Sequence, residues 1–158
     1  MRGLVQRVQR AEVLVGDSVV GRIGSGLCVL VGVTHADTQQ SARKLADKIW
    51  NLRVLDDADG VMNRSLADLA AVHSAAEILV VSQFTLYGDT SAGRRPSWIA
   101  AARPEQAEPL IQVVIDRLGE LGGSVQTGRF RTDMQVLLVN DGPVTVMLET
   151  LPANTQKH

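Results

Sequence analysis

The chain has 158 residues, 45% of them apolar but only 3% aromatic, and a formal net charge of −1. That length suits one domain with a core built mainly from Val, Leu, Ile and Ala. The near-zero charge argues against a grip on long stretches of nucleic acid or on a membrane surface, and no apolar stretch is long enough to span a bilayer.

The opening, Met1-Arg2-Gly3-Leu4-Val5, has no continuous apolar leader, so the reading is a soluble cytoplasmic protein. A single domain is expected over residues 1–151, with a frayed tail over 152–158. The lone cysteine, Cys28, lies in the apolar run Leu27 to Val31. It can form no intramolecular disulfide and reads as a buried, inert thiol.

The first third reads as strands. Leu4–Val8, Ala11–Val15 and Ser18–Ile23 are short and β-branched, with Gly16-Asp17 as a tight hairpin turn. Gly21, Gly24 and Gly26 fit neither a dinucleotide fingerprint nor a P-loop, and the apolar strand Leu27–Val33 follows them. Asp37–Leu52 predicts an amphipathic helix, with Leu45, Ile49 and Leu52 on one face and Asp37 or Thr38 as cap. Arg53–Leu55 predicts a short strand ending in Asp56-Asp57-Ala58-Asp59-Gly60. This run lacks the glutamate and flanking helices of an EF-hand and reads as a solvated turn.

Glu77–Gln83 predicts a strand, and Tyr87–Pro96 a polar loop. Pro104–Leu121 predicts a second helix with proline at its first turn and Gly122-Gly123 at its end, although Pro109 could delay its start. Ser124–Leu151 predicts two or three more strands. The expected fold is one α/β domain, with a curved, mixed, mostly antiparallel sheet and two main helices.

Two stretches put polar groups at the edge of this sheet: Ser82-Gln83-Phe84-Thr85-Leu86 and Asn140-Asp141-Gly142-Pro143-Val144-Thr145. Ser82 and Thr85 are candidate nucleophiles, but a hydroxyl needs an activating base. None of His35, His73 and His158 stands at a spacing that predicts one. No histidine pair has metal-ligand spacing, so no metal or cofactor is expected. Arg94-Arg95, beside Trp98, could hold phosphate, stack on a base or simply be solvated. Residues alone make Gly142-Pro143 an ordinary trans turn, since only about 5–6% of such bonds are cis.

The two stretches, together with Gln6-Arg7-Val8, Gly26 to Val33, Met62-Asn63 and Gly93 to Pro96, resemble the D-aminoacyl-tRNA deacylases over essentially the whole chain. The resemblance implies hydrolysis of the ester between a D-amino acid, or mischarged glycine, and the acceptor end of tRNA. It implies a homodimer with two sites at the interface, no cofactor and no membrane. It assigns Ser82, Gln83, Phe84 and Thr85 to the catalytic pocket. It makes Gly142-Pro143 a cis peptide that enters the partner's pocket and excludes L side chains, with Arg7 holding that loop. Phe130 and Met134 would pack the terminal adenine. Catalysis would draw on the tRNA 2′-hydroxyl, with Thr85 as nucleophile the competing idea. The chain departs from the family in one place: Arg131-Thr132 stands where members usually have Gly-Ala. This adds bulk and charge between Phe130 and Met134.

Overall fold

The computed structural model describes residues 1–151, and the tail expected over 152–158 lies outside the described residues. Strand β1 (Arg2–Val15) is the axis of the fold, one continuous strand where two, Leu4–Val8 and Ala11–Val15, are expected from the sequence. It turns at Gly16, φ +58°, into β2 (Ser18–Ile23), its antiparallel partner. It also pairs antiparallel with β3 (Gly26–Gly32) and with the long last strand β8 (Gln135–Glu149).

Beyond β3 the pairing changes sense. β6 (Glu77–Ser82) runs parallel to β3, and β7 (Ser124–Thr127) runs parallel to β6. The sheet is therefore mixed rather than mostly antiparallel. Parallel neighbours need crossover connections. Here α1 (Gln39–Asn51) and α2 (Leu66–Ala71) lie between β3 and β6, and α3 (Pro104–Glu120) lies between β6 and β7. The sheet curves until β2 approaches β7, where any Cβ at Gly21 would collide with the Thr127 carbonyl. The sheet is nearly closed.

Alternation in β3 and β6 feeds two cores. Leu27, Val29, Val31, Ile78 and Val80 pack with Leu45 and Ile49 of α1 and Val114 and Leu118 of α3. Cys28, Leu79 and Val81 point the other way, against Val8, Val13 and Ile23. Strands buried on both faces read as unbroken apolar runs. Burial also pushes the Cys28 thiol up to about 11, so it stays neutral.

Thr38, not Asp37, caps α1: its hydroxyl accepts from the Ser41 amide at 3.3 Å while its own amide donates to Ser41 Oγ at 3.2 Å. Asp37 is buried and accepts the Met1 ammonium at 2.6 Å. α3 starts at Pro104, and Pro109 is accommodated within the helix. The expected strand at Arg53–Leu55 falls at β4 (Leu55–Asp56), paired with β5 (Met62–Arg64). α2 has no counterpart in the sequence reading. Its six residues are too few for a clear periodicity, and it is held by a capping box between Ser65 and Asp68.

Candidate functional site

β6 ends at Ser82, and the chain then tightens into a 3₁₀ turn over Phe84–Tyr87. Arg2 anchors the turn, donating to the Leu86 carbonyl at 2.8 Å with its guanidinium 4.6 Å from the Tyr87 ring centroid. Burial pushes the Tyr87 hydroxyl up, and nearby Asp37 adds to the shift. Gln83 Nε2 donates to Thr85 Oγ1. Among the described residues, the Phe84 and Thr85 amides have no backbone acceptor, as the opening of a short turn leaves them.

This turn borders a cavity of about 730 Å³, lined by Ser82, Gln83 and Phe84 on one side and by Phe130 to Met134 on the other. Val31, Val33, Val81 and Ile111 give it an apolar lining. Trp98 completes an aromatic wall, edge-on to Phe84 with centroids 5.4 Å apart. A loop closed by Asp89 and Ser97 leads into Trp98, with reciprocal backbone bonds of 2.9 and 2.8 Å. The Ser91 amide, donating to Asp89, holds that carboxyl below its ordinary range. The segment after Trp98 is tied to the end of β3, where Thr34 Oγ1 donates to the Ala100 carbonyl at 2.6 Å.

Arg131 and Asp133 are the charged residues of the lining, and neither His35 nor His73 reaches it. His35 instead sits 2.6 Å from the Ile99 carbonyl. Arg131 occupies the left-handed region at φ +58°. The hydroxyl of Thr132 donates to the Arg129 carbonyl at 2.8 Å, closing the turn that carries it.

The second predicted stretch lies elsewhere. β8 does not break into two strands: both halves pair with β1, but the register jumps between Thr145, opposite Gln6, and Asn140, opposite Val8. Residues 141–144 therefore stand out from the ladder across from Arg7. Asn140 clasps the base of this excursion, donating from Nδ2 to the carbonyls of Arg7 and Val144 at 3.0 Å each. The Gly142-Pro143 peptide is cis. Gly142 has φ +114°, and a Cβ there would sit 2.8 Å from Val144 Cγ2. Arg7 packs beneath, donating to the Val54 carbonyl and Asp56 at 3.0 Å each. Its Nε lies 3.3 Å from Asp141 Oδ2 without the alignment of a hydrogen bond.

The fold thus groups Ser82, Gln83, Phe84, Phe130 and Met134 around one cavity, with Thr85 beside it in the turn. Arg7, Gly142 and Pro143 form a separate cluster that lines none of it. The sequence reading used Trp98 only as an aromatic beside Arg94-Arg95 and did not place Ala102, Ala107 or Ile111 at the site. The signal available for Trp98 was a large aromatic just after a Gly/Pro-bounded loop. Nothing local marks the three others, which tertiary packing brings in.

Residues 4–149 match the family model described as D-Tyr-tRNA(Tyr) deacylase. The chain is 56% identical to a D-aminoacyl-tRNA deacylase of Mycolicibacterium gilvum, over 94% of this chain and 99% of the relative. It is 52% identical to one of Symbiobacterium thermophilum, over 95% and 96%. Its structure is similar to one described as c-Myc DNA Unwinding Element Binding Protein, with TM-score 0.85 and 39% identity, covering 96% of this chain and 99% of that one. It also shares its fold with a probable eukaryotic D-amino acid tRNA deacylase, with TM-score 0.79 and 17% identity, covering 94% and 98%.

Proposed function

Since the chain belongs to the D-Tyr-tRNA(Tyr) deacylase family, we propose that it is a cytoplasmic homodimeric editing hydrolase. It cleaves the ester joining a D-amino acid, or mischarged glycine, to the terminal adenosine of tRNA. The observation that carries this reading is the cavity itself: an aromatic wall beside a strand end rich in hydroxyl and amide groups, with no histidine in the lining. Such a site can seat a base and fix an ester, but it offers no imidazole to activate Ser82 or Thr85.

The chemistry then falls to positioning and to the substrate. Water attacks the ester carbonyl, the C–O bond to the ribose breaks, and the ribose oxygen takes up a proton. The neighbouring 2′-hydroxyl of the tRNA assists. The Phe84 and Thr85 amides, which lack backbone acceptors, stabilise the developing oxyanion. Ser82, Gln83 and Thr85 orient the ester. Phe130 and Met134 pack the adenine.

Chirality is judged by exclusion. The excursion carrying Gly142 and Pro143 does not line this cavity of its own chain, which suits a loop offered to a partner subunit. Its backbone carbonyls accept from the substrate's α-ammonium. The same backbone collides with an L side chain, while many D side chains and glycine are admitted.

The decisive experiment is deacylation of matched D-tyrosyl-tRNA and L-tyrosyl-tRNA by the purified protein. Rapid loss of the D ester with the L ester intact is expected. Loss of both esters would sink the exclusion mechanism. The 39%-identical structure named for DNA binding favours a second reading, a module that holds a 3′ end without turnover. Tight binding of an uncharged acceptor end with both esters left intact would select it.

A further inference from the structure

Two non-glycine residues of the described chain have positive φ, His73 at 56° and Arg131 at 58°. The first has a local cause. It follows α2, where its amide donates to the Ala70 carbonyl at 3.1 Å and the Ser74 amide to that of Leu69 at 2.9 Å. This is the usual glycine-favouring end of a helix. Arg131 follows no helix. It lies at the rim of the cavity, in a turn closed by the Thr132 hydroxyl, with Phe130 before it and Asp133 after it in the lining. A residue without glycine's freedom held there by its neighbours is an outlier from which a role can be argued.

Charge points to the role. Arg131 is exposed, and so are Arg103 and Arg129, each one residue from a lining position. Among the described residues none of the three forms an ion pair; Arg10, Arg53, Arg64, Arg94 and Arg95 form none either, but Arg131 is the arginine that lines this cavity. The opening therefore carries exposed guanidinium groups with no carboxylate partner. A guanidinium presents a planar fork of donors that matches phosphate oxygens.

We propose that Arg131 is a specificity residue for the nucleic-acid part of the substrate. Its guanidinium takes the phosphodiester just 5′ of the terminal nucleotide whose base sits against Phe130 and Met134. This rests on the acceptor-end reading given above. It makes the cavity's substrate an aminoacylated oligonucleotide rather than any D-amino-acid ester. It gives Arg131-Thr132 a joint purpose: the threonine fixes the turn and the arginine uses it.

The test measures binding of the RNA trinucleotide CCA by fluorescence anisotropy, and deacylation of D-tyrosyl-tRNA and of D-tyrosyl-adenosine, which carries no phosphate. The proteins are wild type, R131A, R131G and K44A; the last removes an exposed charge of α1 outside the cavity lining. R131A and R131G should weaken CCA binding and raise KM for D-tyrosyl-tRNA about 5- to 10-fold. The slope of log K against log salt should become shallower by about 0.7, one single-strand phosphate's worth. The loss on D-tyrosyl-adenosine should be much smaller than the loss on D-tyrosyl-tRNA, and K44A should behave as wild type. Unchanged CCA affinity and salt slope in both Arg131 variants overturn the proposal, as does an equal loss on D-tyrosyl-adenosine. A wild type that binds CCA in an Arg131-dependent way but spares D-tyrosyl-tRNA overturns the deacylase reading and leaves the phosphate contact standing.

Discussion

Arg7 Nε lies 3.3 Å from Asp141 Oδ2, across the point where four residues of β8 stand opposite this single residue of β1. The same guanidinium reaches the Val54 carbonyl and Asp56, so it ties the excursion to the segment that follows α1. Asn140 secures the other side of the base. A loop that leaves a ladder normally has freedom to move. Here a half-buried cation and the Asn140 amide restrict it.

Arg7→Ala removes that anchor. The bond from its Nη1 to the Val54 carbonyl is worth about 1.5–3 kcal/mol and the pair with exposed Asp56 adds little, so a loss of roughly 2 kcal/mol in urea unfolding is expected. On the function proposed above, kcat/KM for D-tyrosyl-tRNA should fall about 10- to 100-fold. Arg7→Lys keeps the charge but not the fork and should recover only part of the activity. An R7A enzyme with wild-type activity and selectivity would show that the loop needs no anchor.

Gly142→Ala tests the excursion itself. At φ +114° an L side chain is strained, and the new Cβ would also sit 3.0 Å from Arg7 Nη2 and 2.8 Å from Val144 Cγ2. The expected cost is about 1–3 kcal/mol, which for a chain of this size lowers Tm by several degrees. Circular dichroism should keep its native shape while deacylation is largely lost. A variant with unchanged Tm would mean that the loop relaxes freely.

What sequence makes legible here follows from periodicity. α1, α3 and the strands β2, β3 and β6 carry period or run lengths that physics interprets directly, whereas β1 reads as two short strands because exposed Gln9 and Arg10 interrupt its apolar pattern. The mixed sense of the sheet was less visible, because strand direction depends on which elements pair, and Val31 meeting Ser82 in parallel is a long-range choice. Ser124–Leu151 leaves two or three strands open because nothing local shows that both halves of β8 pair with one partner, which is set by β1's length. Ser82–Phe84 reach the cavity from a strand end that the sequence marks, whereas Phe130 and Met134 are pointed to by the resemblance alone. Trp98 and Ile111 reach the cavity only through the packing of the 98–102 segment and α3.

Asp37 is the most consequential buried charge outside the site. It accepts the Met1 ammonium at 2.6 Å and the Thr34 amide at 2.8 Å, with neither charged group exposed. The Met1 ammonium also donates to the Thr150 carbonyl at 2.8 Å, joining the two ends of the described chain. Removing one partner of a buried pair leaves the other uncompensated, which costs about 3–5 kcal/mol. Asp37→Asn should therefore lower Tm by about 10 °C or more. A shift below 2 °C would mean that the ammonium finds water or another acceptor.

Cys28 gives a pH signature. Its folded thiol is pushed up to about 11 from an ordinary 9.0 by burial. Below pH 9 both folded and unfolded thiols are neutral, and its contribution to stability is complete. Between pH 9 and 11 the unfolded thiol ionises first, so stability falls as pH rises, by about 1.4 kcal/mol per unit. Urea unfolding at pH 8 and pH 10.5 should show wild type losing about 2 kcal/mol more than Cys28→Ala over that interval. Equal losses would place the thiol in contact with water.

Thr85 separates the two chemical mechanisms. Its hydroxyl accepts from Gln83 Nε2, and no histidine lines the adjoining cavity to take its proton. A threonine nucleophile without a base is weak, and its removal would abolish turnover. A threonine that only positions the ester contributes an ordinary hydrogen bond, about 0.5–1.5 kcal/mol, or roughly 2- to 12-fold in rate. Thr85→Ala is therefore expected to retain at least about a twelfth of the single-turnover rate on D-tyrosyl-tRNA. A substrate ending in 2′-deoxyadenosine, with the ester on the 3′-oxygen, should instead react far more slowly with wild type. If T85A is dead and the deoxy substrate is cleaved normally, the protein supplies the nucleophile and the substrate-assisted mechanism fails.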